Sequence, residues 1–159
     1  MVREAVDAIN GDKIERVLVC ITSQLSSQRL IDKAAEIADK ENAELHILHV
    51  QQGNSIFNNA DTPKMIHSLC QYGSQKGGTM HFYCHEDVPE CIGKFVSEKY
   101  ITKIIIGQPP VKDFQDIKEL KKAAAKILNQ IKNPVEAIII PRDENTENMR
   151  VCLNMGIGF

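Results

Sequence analysis

Tryptophan is absent from the chain, and aromatic residues make up only 5% of it. That leaves little for the stacking platforms on which single-stranded nucleic acids are held. No charge of either sign dominates: 19 Lys and Arg stand against 21 Asp and Glu, for a net charge of −2. The basic residues are spread along the chain, whereas tracking a phosphate backbone needs a basic stripe, so a nucleic-acid partner is not expected. No apolar run approaches the roughly 20 residues of a membrane helix. The opening stretch, MVREAVDAINGDKIE, also lacks the apolar core of a signal peptide. A cytoplasmic protein without membrane insertion is the expectation. The five cysteines, Cys20, Cys70, Cys84, Cys91 and Cys152, are odd in number and unclustered, which reads as reduced thiols rather than a disulfide framework.

What is present is ordinary for a globular domain. Hydrophobic residues are 43% and charged residues 25% of 159, enough for one domain with a real core and too little for two. Periodicity then gives an alternation. RVLVCI (16–21) is short, continuous and β-branched, as in a strand covered on both faces. TSQLSS follows with hydroxyls suited to capping a helix. From Gln28, Leu30, Ile31, Ala34, Ala35 and Ala38 fall on one helical face. ELHILHV (44–50) is a second strand.

After a polar loop, Thr62 and Pro63 suit a cap followed by proline in the first helical turn. Met65, Ile66, Leu69 and Cys70 mark the buried side of that helix, which should stop near Gly77 and Gly78. MHFYC (80–84) is a third strand. Asp87 with Glu90 resembles a capping box, and Ile92, Phe95 and Val96 then face inward. KIIIG (103–107) is the fourth strand. DIKELKKAAAKILNQIK (116–132) is a helix with Ile117, Leu120, Ala124, Ile127, Leu128 and Ile131 as its apolar stripe. VEAIIIP (135–141) is the fifth strand.

Five strands separated by four helices imply parallel pairing through right-handed crossovers, hence a doubly wound α/β fold. A five-stranded parallel sheet sandwiched by helices should occupy 15–141, behind an N-terminal extension (1–14) and before a C-terminal tail (142–159). That tail begins as a charged linker and ends apolar, so its last residues should dock on the domain or on a second subunit. In open α/β sheets ligands sit beyond the carboxyl ends of the strands, where strand order reverses. The candidate pocket is therefore Thr22 and Ser23, Val50 and Gln51, Cys84 and His85, Gly107 and Gln108.

These residues carry a resemblance. RVLVCITSQLSSQRLIDKAAEIADKENAELHILHV is similar to the first half of a universal stress protein domain, and YITKIIIG and NPVEAIIIP resemble that family's fourth and fifth strands. SSQRLIDKAAEIA and TKIIIG look especially like the module found in KdpD-type potassium-sensing histidine kinases. The resemblance implies an adenine nucleotide alpha hydrolase-like sheet of order 3-2-1-4-5. Nucleotide-binding members carry an Asp where this chain has Thr22, and Val50 matches the residue that packs near adenine. Gly107 matches the first glycine of a G-x-x-G-x9-G-[ST] phosphate loop, but Pro110 stands where the second belongs. No glycine occurs between Gly107 and Gly156. Glycines let backbone N–H groups approach phosphates closely, whereas Pro109 and Pro110 lack those donors. The crevice is expected to remain without its usual triphosphate cradle. A lone Lys112 is more simply a solvated side chain.

Other constellations have simpler readings. His81, Cys84, His85 and Cys91 offer zinc-type donors, but H-x-x-C-H-x5-C matches no standard finger and alternation sends His81 and Cys84 to opposite faces. No metal is expected. His46 and His49 also lie on opposite faces of their strand, with a structural role preferred for His49. Ser23, Ser26 and Ser27 lack a nucleophile elbow, and capping accounts for at least one of them. Cys84 as a redox thiol would need a positive neighbour, for which His85 is the candidate. Lys118, Lys121 and Lys122 read as the wet side of a helix.

The fifth strand should be a sheet edge, an adhesive surface, and relatives commonly pair this strand with its copy. A homodimer through Ala137, Ile138, Ile139 and Ile140 is expected. The functional expectation is a non-catalytic stress or signalling module whose crevice takes a small ligand, with ATP, AMP or a cyclic dinucleotide as candidates. The alternatives are a ligand-free dimeric interaction module, or a weak ATP- or AMP-binding protein with slow hydrolysis, for which Thr22 removes the obvious acid and Asp87 is better explained as a cap.

Overall fold

The computed structural model describes residues 14–22, 27–53, 61–109, 112–142 and 148–153. Among these described residues six strands and four helices follow one another as β1 (Arg16–Cys20), α1 (Ser27–Lys40), β2 (Glu44–Gln52), α2 (Asp61–Gln75), β3 (Thr79–His85), α3 (Val88–Glu98), β4 (Lys103–Gly107), α4 (Phe114–Gln130), β5 (Val135–Ile140) and β6 (Met149–Leu153). They form one sheet of order β3-β2-β1-β4-β5-β6. The first five strands are parallel, and their order 3-2-1-4-5 is the expected one. Order reverses between β1 and β4, so their carboxyl ends flank the switch point.

Continuous apolar strands are buried on both sides because helices cover both faces. Val17, Val19, Ile47, Ile105 and Ile138 pack with Ile31, Ala34 and Leu69 of α1 and α2. Leu18, Leu48 and Ile104 pack on the opposite face with Phe95 and Val96 of α3 and with Ile131. Glycine lets elements approach closely at two places. Gly73 and Gly78 both lie against the Ile47 side chain, and Gly93 lies against Gln130 and the Ile127 carbonyl. The helix before β3 ends at Gln75, and Gly77 adopts φ +85° in the turn that follows.

Two expectations change. The apolar stripe of α4 is only partly covered: Ile131 is buried just past the helix end, whereas Ile117 is 37% exposed and Phe114 is 72% exposed. The reason is the close contact at Gly93, which holds the carboxyl half of α4 against α3 while its first turns stand clear of the core. Second, β5 is not an edge. β6, from the expected tail, pairs antiparallel along Val135–Ile139, and Arg150 Nη1 reaches Glu136 Oε1 at 2.8 Å. The backbone groups that a second copy would use at Ala137, Ile138 and Ile139 are already opposed by the chain's own strand. Among the described residues, no helix is long and apolar enough to cross a membrane.

Candidate functional site

The candidate site lies at the carboxyl ends of the parallel strands. At the end of β1, the Thr22 side chain is exposed, but its backbone is engaged: Thr22 N donates to Ser27 Oγ (3.2 Å) and Ser27 Oγ donates to the Thr22 carbonyl (2.8 Å). Ser27 is buried. Its hydroxyl thus ties the first residue of α1 to the end of β1. Ser23 and Ser26 lie outside the described residues.

On the β4 side, Gly107 pairs with Ile140. Its φ is not in the left-handed region; a Cβ there would stand 3.2 Å from Leu30 Cδ1. Helix packing therefore explains this glycine without a phosphate. Gln108 N donates to the Ile140 carbonyl at 2.8 Å, and Pro109 and Pro110 have no N–H to give. Pro110 itself lies outside the described residues. Three successive positions where a phosphate loop would present amides accordingly offer none.

On the β2 side, Val50 packs half-buried into the α3 face of the core. Gln51 is on the other face, where its carboxamide lies 3.2 Å from His49 Nε2. His49 is buried and its Nδ1 donates to the Ile21 carbonyl at 3.1 Å, a wholly structural use of the ring. Cys84 is exposed and pairs in register with Gln51. It stands three strand spacings from Gly107, about 14 Å. The structure thus brings Thr22, Gly107 and Gln108 to the switch point, with Val50 and Gln51 one strand away, and leaves Cys84 at the outer edge.

Neither His85 nor the other donors gather around Cys84. His85 Nδ1 accepts from Asp87 N at 2.8 Å. His81 turns to the α3 face, where its Nε2 lies 2.9 Å from His46 Nδ1 and its ring is edge-on to Phe95. Cys91 is buried on α3, and burial also pushes the Cys20 thiol up to about 12. Among the described residues, no three or more of His, Cys, Asp and Glu are placed to share a metal ion. Asp87 caps α3 by accepting from Glu90 N at 3.2 Å. It also pairs with Lys126 at 2.7 Å, and that hydrogen bond holds its carboxyl below the usual range. A depression on the outer face of α2, lined by His67, Cys70, Gln71, Ser74 and Gln75, lies on a single helix away from these strand ends.

Two cations reach the strand ends that the residue pattern did not single out. Arg29, in the first turn of α1, donates from Nη2 to the Pro141 carbonyl at 2.7 Å. Arg142 folds back on the other side: its N donates to Gln108 Oε1 at 3.3 Å and its Nε to the Gln108 carbonyl at 3.4 Å. The strand-end rule would have found Arg142, which follows the last residue of the fifth strand segment. An arginine in a first helical turn carries no such signal.

Comparison with known proteins agrees with the fold. Residues 13–66 match the profile of the universal stress protein family. A universal stress protein in complex with cAMP shares the fold, with a TM-score of 0.57, 18% identity and coverage of 80% of this chain and 97% of that one. The domain is universal-stress-protein-like. The universal stress protein from Archaeoglobus fulgidus superposes with a TM-score of 0.56 at 16% identity over 85% of this chain and 98% of that one. An Archaeoglobus fulgidus structure in complex with dAMP gives 0.52 at 16% identity, over 81% and 97%. In sequence, the chain is 31% identical over 93 residues, 58% of its length, to the sensor protein KdpD of Mycobacterium tuberculosis. The chain spans about a tenth of the length of the curated relatives it matches, 11% in each case.

Proposed function

We propose that this universal-stress-protein-like domain is a non-catalytic sensing or stress-response module whose switch-point crevice takes a small adenine-type ligand with one phosphate per nucleoside. The observation that carries the reading is the junction of Thr22, Gly107 and Gln108 at the β1–β4 reversal, where the Thr22 and Gln108 N–H groups are both engaged. A triphosphate needs several amides on its β- and γ-phosphates; a monophosphate ester does not. The support from outside the chain is that structural neighbours were solved with cAMP and with dAMP, and that a sequence relative is a sensor protein. A cytoplasmic setting fits the reduced cysteines.

Calorimetric and thermal-shift titration with AMP, cAMP, cyclic dinucleotides and magnesium-ATP tests this. Saturable binding of a monophosphate form, with ATP no tighter than AMP, is the expected result. No response to any of them removes the nucleotide reading, and steady phosphate release from ATP removes the non-catalytic one.

The exposed Phe114 and Ile117 on α4 favour a second reading, a ligand-free interaction module acting through its surface. That module would fold normally, ignore every nucleotide and lose its partner on Phe114→Ser.

A further inference from the structure

The two edges of the sheet are built differently. At one, β6 is 5 residues long and carries Arg150. At the other, β3 is 7 residues long, Thr79–His85, and holds no Asp, Glu, Lys, Arg or Pro. Among the described residues β2 is the one strand that pairs with it. Edge strands are ordinarily blunted by charge, proline or shortness, and β3 has none of the three. Phe82 and Tyr83 are 41% and 42% exposed, and Cys84 is exposed beside them.

One hydrogen bond fixes which backbone groups point outward. Gly53 N, just past β2, donates to the His85 carbonyl at 3.2 Å. A strand residue turns its N–H and C=O to the same side, and the side alternates along the chain. His81, Tyr83 and His85 therefore face β2, while Met80, Phe82 and Cys84 present both groups at the edge. The side chains of Met80 and Phe82 lie on the α2 face, with Met80 against the core and Phe82 edge-on to His49. His81 and Tyr83 lie on the α3 face against Phe95. The neighbouring helix continues this border. On one flank of α2, the Tyr72 hydroxyl and Lys76 reach Asp32 of α1, and Ile66, Leu69 and Gly73 are buried beneath. Helical spacing turns the depression lined by His67, Cys70, Gln71, Ser74 and Gln75 away from α1, to the β3 side, again without an Asp, Glu, Lys or Arg.

We infer that β3 is the contact strand of a homodimer, pairing antiparallel with β3 of a second copy about a two-fold axis at Phe82. That register opposes Phe82 to itself and Met80 to Cys84 as hydrogen-bonded pairs, and no other antiparallel register engages the whole of both strands. A symmetric contact sets each charge near the axis close to its own copy, so self-pairing demands a run free of Asp, Glu, Lys and Arg. The two histidines of the run meet Tyr83 and Thr79 of the second copy, not each other. A partner recognised by charge would find nothing on this strand to read. Beyond the run the signs differ: Lys99 stands near His81 toward one end, and exposed Glu86 follows His85 at the other. Antiparallel pairing brings these unlike ends together, whereas parallel pairing would join like ends.

Sedimentation equilibrium of the full chain tests the contact. One strand pair is a small interface, so a monomer–dimer equilibrium with a dissociation constant of about 100 µM is expected. Phe82→Lys sets two ammonium groups across the axis and should weaken the dimer about tenfold or more. Its melting temperature should stay close to the parent's, since the ring it replaces is half in solvent. Met80→Cys checks the register. On oxidation its thiol should join Cys84 of the second copy, mapped by peptide mass spectrometry, because the Cα atoms of a hydrogen-bonded pair lie about 5.5 Å apart, within disulfide reach. The parent should not link through Cys84, whose two copies stand roughly 14 Å apart in this register. A chain that stays monomeric up to about 1 mM overturns the proposal. So does a dimer that Phe82→Lys leaves intact, or a Met80→Cys link to any other cysteine.

Discussion

His81 Nε2 lies 2.9 Å from His46 Nδ1, and His46 Nε2 lies 3.2 Å from Glu44 Oε1. A carboxylate only accepts, so His46 donates from Nε2 and, when neutral, must accept at Nδ1 from His81. Arg16 closes the chain by donating from Nε to Glu44 at 3.2 Å. Burial alone would raise the Glu44 carboxyl, but His46 and Arg16 outweigh it and hold it below its ordinary value. For His81, burial first, then the nearby His46 and Lys99, lower its pKa from 6.5 to about 4.

A pH dependence follows with a definite sign. Above pH 6.5 His81 is neutral folded or unfolded, and the full stability is present. As pH falls from 6.5 toward 4 the unfolded chain binds a proton that the folded one refuses, so stability is lost through that window. The half-exposed ring is screened by solvent, which leaves roughly 1 kcal/mol at pH 5. His81→Leu should flatten the melting temperature between pH 6.5 and 4.5 relative to the parent. Parallel profiles for the two proteins would contradict the assignment.

Glycine substitutions should separate two kinds of close contact. A Cβ at Gly107 meets the branched end of Leu30 at 3.2 Å, whereas one at Gly93 meets the Ile127 carbonyl at 2.9 Å and Gln130 Cβ at 2.7 Å. The Leu30 end can rotate away; a backbone oxygen and a Cβ cannot. Gly107→Ala should therefore cost about 1 kcal/mol and Gly93→Ala about 3 kcal/mol in urea unfolding, within the usual span for overpacked contacts. The reverse order would show that Gly107 is required for some other reason.

Asp87 joins two elements, capping α3 through Glu90 N and holding Lys126 of α4. Lys126→Met should lower the melting temperature at pH 7, and the difference from the parent should shrink as pH falls through the depressed Asp87 pKa and the carboxylate is lost. Asp87→Asn keeps a capping oxygen and should lose less than Asp87→Ala. Equal losses in the Asn and Ala variants would mean that the ion pair, not the cap, holds this corner.

The elements read best from the residues are those whose pattern has one solution. RVLVC, KIIIG and VEAIII are short apolar runs rich in β-branched residues, and burial on both faces follows from them. MRVCL escaped because a short edge strand with a charged residue and one neighbour carries no such run. The strand ends beside the switch point were legible as a place, since the sheet order alone brings Thr22, Gly107 and Gln108 there. What those residues do there was not, because engagement of the Gln108 N–H and the Thr22 backbone depends on partners 32 and 5 positions away. Arg29 went unnoticed for the same reason: its anchor, Pro141, is 112 positions distant.

β6 gives the expected homodimer contact a different test. In the full chain the outer side of β5 is opposed by residues 149–153, so the strand cannot pair there with a copy unless β6 leaves. Removing everything after Arg142 uncovers Val135–Ile140, a run of four buried apolar residues among six. An uncovered apolar strand is a template for pairing. The truncated chain should therefore shift to dimers and larger species at concentrations where the full chain does not. Glu136→Lys in the full chain, which places two cations across the β5–β6 contact at Arg150, should move it part of the way. Light scattering decides the matter. A truncated chain with the same mass distribution as the parent would show that β6 does not guard the edge.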